Sequence, residues 1–311
     1  NLQMAAFSGG GSIFGMDHGI ILATGGAKVA EGPNDFPSAY IPLPAGSSLH
    51  SEPDLEILTA PAPVRDVAVL NFSFVAKGDV LRFRYVFASE EYNEYTCSSY
   101  NDVFGFFISG PGFNGPFTNN AENIALIPNS TTPVAINTVN SGTASGFYDP
   151  LTCEQANSNW QEDSQYFVPN DNPVDGDVQI PGMTTTLTAY ANVVCGETYH
   201  IKIGVSNAVD HSYHSAVFLE SESFSSNSTV QVSLDIPVGV NDSTLYEGCG
   251  EAILQFIRPA ASQGIEETAY LEIGGTAVNG VDYIPTLPDS VVFPPGVDTV
   301  SFNISAPFDG I

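Results

Sequence analysis

Between Phe87 and Phe107 the chain reads FASEEYNEYTCSSYNDVFGFF. Glu90, Glu91 and Glu94, the pair Asn101–Asp102, Cys97 and three tyrosines lie here between two aromatic-rich strands. Such residue types suit three kinds of chemistry: a carboxylate acid/base pair, a site for a hard cation, or a stapled polar loop. Successive residues of a strand point to opposite faces. Glu90 and Glu91 therefore line one cleft only if a bulge intervenes. Glu91 with Glu94, or Glu90 with Asp102, are the pairs left for glycoside hydrolysis. Nothing else marks a sugar-cleaving cleft, and Trp160 is the sole tryptophan.

A calcium site needs several oxygens drawn from carboxylates, amides and carbonyls. The loop offers Glu90, Glu91, Glu94, Asn101 and Asp102, and the stretch NAVDHS brings Asn207 and Asp210 from another strand end. The metal set expected here is Glu90, Glu91, Asp102 and Asp210. No EF-hand spacing is present, so the case is compositional, and a hydrogen-bonded loop without an ion is the alternative. In DHSYHS, His211 and His214 could ligate a metal with Asp210 as third donor, or be ordinary exposed turn histidines. A nucleophile has less support: there is no G-x-S-x-G, and Cys97 lacks the context of an activated thiol. GPGFNG (110–115) matches a dinucleotide fingerprint in form only, because Pro116 and a further strand follow where a helix would have to start.

Cys97, Cys153, Cys195 and Cys249 form no C-x-x-C pair, which disfavours a thiolate zinc site. Their wide spacing in a Ser/Thr/Asn/Gly-rich chain fits an oxidising compartment, with buried free thiols as the alternative. We expect Cys97 to pair with Cys153, because both lie in polar segments that need tying down. Five N-x-S/T sequons open at Asn71, Asn129, Asn227, Asn241 and Asn303. They are at most compatible with secretion.

The charge balance narrows the partners. Against 35 Asp+Glu stand only 7 Lys+Arg, yet charged residues total just 14%. The net charge of −28 thus reflects missing basic residues rather than acid runs. Phosphate contacts need Lys and Arg, so nucleic acid and anionic membrane surfaces are disfavoured. Divalent cations suit such a surface, although a shortage of basic residues also keeps extracellular or salt-adapted proteins soluble. No apolar run is long enough to span a bilayer. NLQMAAFSGG lacks the basic and apolar regions of a signal peptide. Both ends of the chain look like cuts in something longer.

The elements that must position these residues read as strands. In DVLRFRYVF, Leu81, Phe83, Tyr85 and Phe87 alternate with Arg82, Arg84 and Val86, a period-2 pattern that places the two arginines on a polar face near the acidic loop. VAVLNFSFV, VFGFFIS, TTTLTAYANVV, TYHIKIGVS, SAVFLE, TVQVSLDI, AILQFI, TAYLEI and TVSFNIS follow suit, with Gly, Pro, Asn and Asp between them. No sustained helical period with caps is evident. The pattern predicts an all-β fold: a large jelly-roll-like β-sandwich over 1–224, then a smaller β-sandwich over 225–311 that ends mid-pattern. The polar stretch 140–181 reads as a long loop.

At FRYVFASEEYNEYTCSSYNDVFGFFISGPG the chain resembles the choice-of-anchor L domain of large bacterial surface and secreted proteins, many from Bacteroidota. The likeness continues through NIALIP, PVAINTVN and CGETYHIKIGVSNAVDHSYHSAVFLESESF, and AAFSGGGSIFGMDHGIILATG is similar to the family's early segment. His214 stands where the family usually has an aspartate, which weakens a cation site there. LYEGCGEAILQFIRP and GGTAVNGVDYIPTLPDSVVFPPGVDTVSFNIS resemble a Calx-β-type repeat. That resemblance implies calcium near Glu247, Asp282 and Asp309, with further acids beyond Ile311 and a downstream partner for Cys249.

Neither family is known as an enzyme. The resemblances imply a modular exported protein, often carrying a type IX secretion signal. The leading expectation is a non-enzymatic, extracellular adhesin module with calcium-stabilised loops, binding surface glycans or other cells and touching neighbouring domains of the same protein. A carbohydrate-active domain and a structural stalk or filament subunit are the alternatives.

Overall fold

Alternating aromatic and β-branched residues build antiparallel sheets that bury one face against another. The computed structural model describes residues 2–11, 15–34, 41–44, 49–170, 178–226, 230–235, 247–248, 250–258 and 266–308. The chain divides into two units, Asn1–Asn227 and Ser228–Ile311, and its architecture is an all-β sandwich.

In the first unit the elements run β1 (Met4–Ser8), β2 (His18–Ala23), α1 (Pro53–Thr59), β3 (Val64–Val75), β4 (Val80–Ser89), β5 (Val103–Ser109), β6 (Glu122–Asn123), α2 (Pro150–Ala156), β7 (Phe167–Pro169), β8 (Gly182–Thr184), β9 (Leu187–Asn192), β10 (Thr198–Ala208) and β11 (Ser215–Glu220). One sheet has the order β1-β2-β11-β4-β8-β7, with β9 also paired to β4; the other has the order β3-β10-β5-β6. Their ladders are antiparallel.

Leu81, Phe83, Tyr85 and Phe87 of β4 meet Phe104, Phe106 and Ile108 of β5 and Ile201, Ile203 and Val205 of β10 in the main core. A fully buried side chain of this size contributes roughly 1.5–3 kcal/mol. The other face of β4 is buried too, since Val86 and Ala88 pack with Ile21, Ala216 and Phe218. The arginines of β4 do not face the acidic loop. Arg84 binds Glu220 of β11 through both carboxylate oxygens at 2.8 Å, and Arg82, itself buried, exchanges backbone hydrogen bonds with Ser225. Tyr85 pairs with Leu219, so the register puts the arginines beside the far end of β11.

Two short helices depart from the strand-only expectation. Glu52 caps α1, its Oε2 accepting from the backbone N–H of Asp54 and Leu55 at 2.9 Å, with Pro53 at the first helical position. Leu55 is fully buried and rests where Gly105 and Gly204, cross-strand partners on β5 and β10, leave room for it. Asp149 caps α2 in the same way, ahead of Pro150. Seven residues are too few to register as a helical period. The described part of 140–181 is accordingly not a structureless loop: it holds α2, a 3-10 turn at Asp163–Tyr166, β7 and the lead into β8.

The second unit pairs β12 (Gln231–Asp235), β13 (Ala252–Ile257) and β16 (Thr299–Ile304) in one sheet and β14 (Glu267–Tyr270) with β15 (Ser290–Phe293) in another. Phe256, Val291 and Phe293 form the shared core.

Candidate functional site

Strand ends bring the acids together. β4 ends at Ser89, β5 begins at Val103, β10 ends at Ala208 and β11 begins at Ser215. The connections 90–102 and 209–214 therefore meet at one end of the sandwich. Asp102 is fully buried. Its Oδ1 accepts from the Ala208 backbone N–H at 2.8 Å and its Oδ2 from the Ser215 hydroxyl at 2.7 Å. Ser215 Oγ lies 2.8 Å from Ser89 Oγ, which accepts from the Glu91 N–H at 3.0 Å. The Glu90 N–H donates to the carbonyl of His214. Ser89 and Ser215 are members of this network that sequence reasoning missed; a serine at a strand end carries no distinguishing signal.

Electrostatics sets this end apart. Glu91 is 1% exposed. Burial, then the neighbouring charges of Asp102, Asp210 and Glu94, push its carboxyl up to about 10. Burial also raises Asp102 well above the carboxylate range, against the hydrogen bonds from Ser215 and Ala208 that favour its charge. Desolvation and like charge are the two forces that keep a carboxyl protonated. Glu91 Oε2 and the buried Asn207 Oδ1 accept no hydrogen bond. Of the charges acting on Glu91, that of Asp102 is the largest, ahead of Asp210 and Glu94. Glu90 is buried in the turn directly after β4, and Asp210 is half-buried, capping its own turn by accepting from the Ser212 N–H at 2.8 Å.

The loop is stapled by a disulfide between Cys97 and Cys153. Trp160 packs on the bridge with Ala144 and Tyr148. Asn137 ties the same loop from beneath, accepting from the Cys97 N–H at 2.9 Å and donating to the Ser98 carbonyl at 2.8 Å. The Tyr92 hydroxyl donates to the Val139 carbonyl at 2.7 Å. Outside this frame Tyr95 meets Tyr213, Tyr100 and Tyr148, with ring centroids 4.8, 5.3 and 6.1 Å away. All four are half-buried, and Phe147 beside Tyr148 is 93% exposed. Cys195 is exposed and unbridged, whereas Cys249 lies outside the described residues.

The histidines diverge instead of sharing a metal with Asp210. His214 turns inward, its Nδ1 3.3 Å from Thr24 Oγ1, against Gly25, where a β-carbon would collide with the ring. Burial lowers its pKa, which Asp66 and the Ile41 backbone oppose. His211 turns to Asp66, Nδ1 to Oδ2 at 2.7 Å. Among the described residues, the only three His, Cys, Asp or Glu side chains with donor atoms within 4.8 Å of one another are His50, Asp66 and His211. Glu90, Glu91, Asp102 and Asp210 share a region but do not converge that tightly.

In the second unit Glu247 is exposed in a turn, and Asp282 accepts from the Val278 N–H at 2.6 Å, closing its own turn. Gly248 bonds to Ala306 and Ile284 to Ser305, so both segments run beside 305–306. Asp309 lies outside the described residues.

These features describe a β-sandwich with one end stapled by a disulfide, where Glu91 and Asp102 are buried. The family model of the choice-of-anchor L domain matches residues 1–225, and the chain belongs to that family. Membership marks it as a module of a surface or exported protein. No curated protein and no solved structure matches the chain. Among the described residues no helix is long and apolar enough to cross a membrane.

Proposed function

We propose that this chain is a non-enzymatic adhesin module of a large exported bacterial protein, with calcium bracing the end of the first unit that carries the attachment surface. The observation that carries the reading is the buried pair Glu91–Asp102, whose neighbouring charges are acidic, with Glu91 Oε2 and Asn207 Oδ1 lacking donors. Burying acids together without a cation is costly, and oxygen donors of mixed type are what calcium takes. Ion binding would draw Glu91, Asn207 and Asp210 inward around Asp102, with Glu90 adjoining. His214, neutral and turned to Thr24, stays outside the ligand set.

The tyrosines Tyr95, Tyr100, Tyr148 and Tyr213, with Phe147, then form an amphipathic face on a stiffened end, suited to stacking against sugar rings of surface glycans or other cells. Hydrolysis is less well supported, because Glu91 and Asp102 are 1% and 0% exposed. On the resemblance given above, residues 225–311 are a Calx-β-type neighbour, and the parent is a Bacteroidota protein using type IX secretion.

Thermal melting in calcium and in chelator tests the brace. Saturating calcium should stabilise the first unit by about 2–3 kcal/mol at a hundredfold excess over Kd, and Glu91→Gln should abolish the shift. An equal melting temperature in both conditions overturns the brace. A glycan array should show binding that Tyr95→Ala with Tyr213→Ala removes. Identical array signals from wild type and variant would overturn the attachment face.

A further inference from the structure

We infer that His50, Asp66 and His211 form a second, independent cation site on the first unit, built for a divalent transition ion of the zinc type. The three donors come from three separate segments and lie within 4.8 Å of one another. Two imidazoles rule against calcium, which takes oxygen ligands. Imidazole and carboxylate together suit zinc, at about 2.0–2.2 Å from each donor, with water filling a fourth tetrahedral position. Both histidines are exposed and Asp66 is buried, so that fourth position faces solvent.

The backbone fixes each donor beforehand. On β3, the register against β10 slips between Val205 and Asn207, which pair with Ala68 and Arg65, so Asp66 and Val67 face the single residue Ser206. Asp66 adopts a φ of 50° at this bulge, a conformation that aspartate tolerates better than most residues and that bulges use to re-aim a side chain. Gln3 holds it there, its side-chain amide donating to the Asp66 carbonyl at 3.1 Å and to Val67 at 3.3 Å. Leu49 bridges Val67 and accepts its N–H at 2.9 Å, which sets the adjacent His50 beside the bulge. The Val209 N–H donates to Pro63 at 2.9 Å and the Ser212 N–H to Asp210, fixing the turn that carries His211. The two imidazoles meet edge to face with centroids 5.2 Å apart. Arg65, the nearest cation in sequence, turns its guanidinium back to the Val64 carbonyl.

At 2.7 Å, His211 Nδ1 and Asp66 Oδ2 share a proton. Zinc entering the site would be coordinated by Asp66 Oδ2 and by His211 Nδ1, the ring proton passing to Nε2 of the same imidazole, with His50 as the third protein donor.

The test uses the tag-free full chain, stripped of metal, titrated with zinc chloride by calorimetry and with cobalt(II) by visible absorption. We expect one saturable equivalent and the intense bands of a tetrahedral cobalt site. His211→Ala and His50→Ala should each weaken zinc binding more than about tenfold. His50→Ala is the safer variant for folding, since its side chain is exposed. Glu91→Gln should bind zinc as the wild type does, which separates this site from the calcium brace. Absence of saturable zinc binding in the wild type, or undiminished affinity in the folded His50→Ala and His211→Ala variants, overturns the inference.

Discussion

Two carboxylate groups in the same sandwich meet opposite fates. On the outer face of the second sheet, Glu52 and Asp54 of the α1 cap close around Lys202 of β10: Lys202 Nζ reaches Glu52 Oε1 at 2.5 Å and also contacts Asp54. Burial pushes the Asp54 carboxyl up, but hydrogen bonds from Lys202 and Thr118 outweigh it and hold the group below its ordinary value. Lys202 is raised in turn, burial opposing its bonds to Asp54 and Glu52. Beyond the end of β4, Glu91 and Asp102 are buried and the charges acting on them are acidic; burial first, and like charge after it, raise both. A buried carboxylate is charged or neutral according to whether the fold provides a cation. Where it provides none, the group keeps a proton or takes an ion from outside.

Removing the staple is the largest perturbation of this contrast. Cys97 and Cys153 are 56 residues apart, and chain entropy for such a loop corresponds to about 4 kcal/mol. Cys97→Ser with Cys153→Ser should therefore lower the stability of the first unit in denaturant titrations and eliminate its calcium response. A full-sized calcium shift in the double variant would show that the acid end needs no staple.

Lys202→Met should convert the paired patch into a copy of the unpaired one. Leaving a buried carboxylate without its partner costs about 3 kcal/mol near neutral pH. The depressed Asp54 value means that the wild-type contribution is present above pH 3.8 and is lost as pH falls through the lower folded value. The raised Lys202 value means that it is lost again as pH rises through a folded value above 10.5. In the variant, stability should instead decline as pH rises from about 4. An unchanged pH–stability curve would remove Lys202 from the explanation.

A change of sign is what Glu91→Gln tests. Glu91 moves from an ordinary value of 4.5 to about 10 in the fold. The folded state thus holds a proton that the unfolded state releases, and metal-free stability falls as pH rises between those two values. Glutamine needs no proton, so at pH 8 in chelator the variant should be more stable than the wild type. In calcium the order should reverse. Melting curves across pH in both conditions would show it, and a destabilised variant in chelator would contradict the protonated-pair account.

The sandwich was legible because short apolar, β-branched and aromatic runs bounded by turn residues mark buried strands. VFGFFIS, SAVFLE and AILQFI coincide with β5, β11 and β13, and Leu81, Phe83, Tyr85 and Phe87 all reach the core. The pairing of Cys97 with Cys153 followed from two polar segments needing a tie. The two short helices, capped by Glu52 and Asp149, went unread, because seven residues carry too little periodicity to stand out among strands. At the acid end the sequence supplied the residue types and the neighbourhood of Glu90, Glu91, Asp102 and Asp210.

Which acids couple, and which histidine turns which way, belonged to the tertiary structure. Alternation along a strand specifies its faces, whereas the charge of Asp102 acting on Glu91 depends on where β4, β5, β10 and β11 end relative to one another. His211 finds Asp66 across 145 residues through a bulge on β3, and Arg84 finds Glu220 across 136 through strand register. Local sequence determined elements and donors because propensity and hydrophobic period act over a few residues. Distances, desolvation and charge partners arose only on folding, because each is a property of groups that the chain itself keeps far apart.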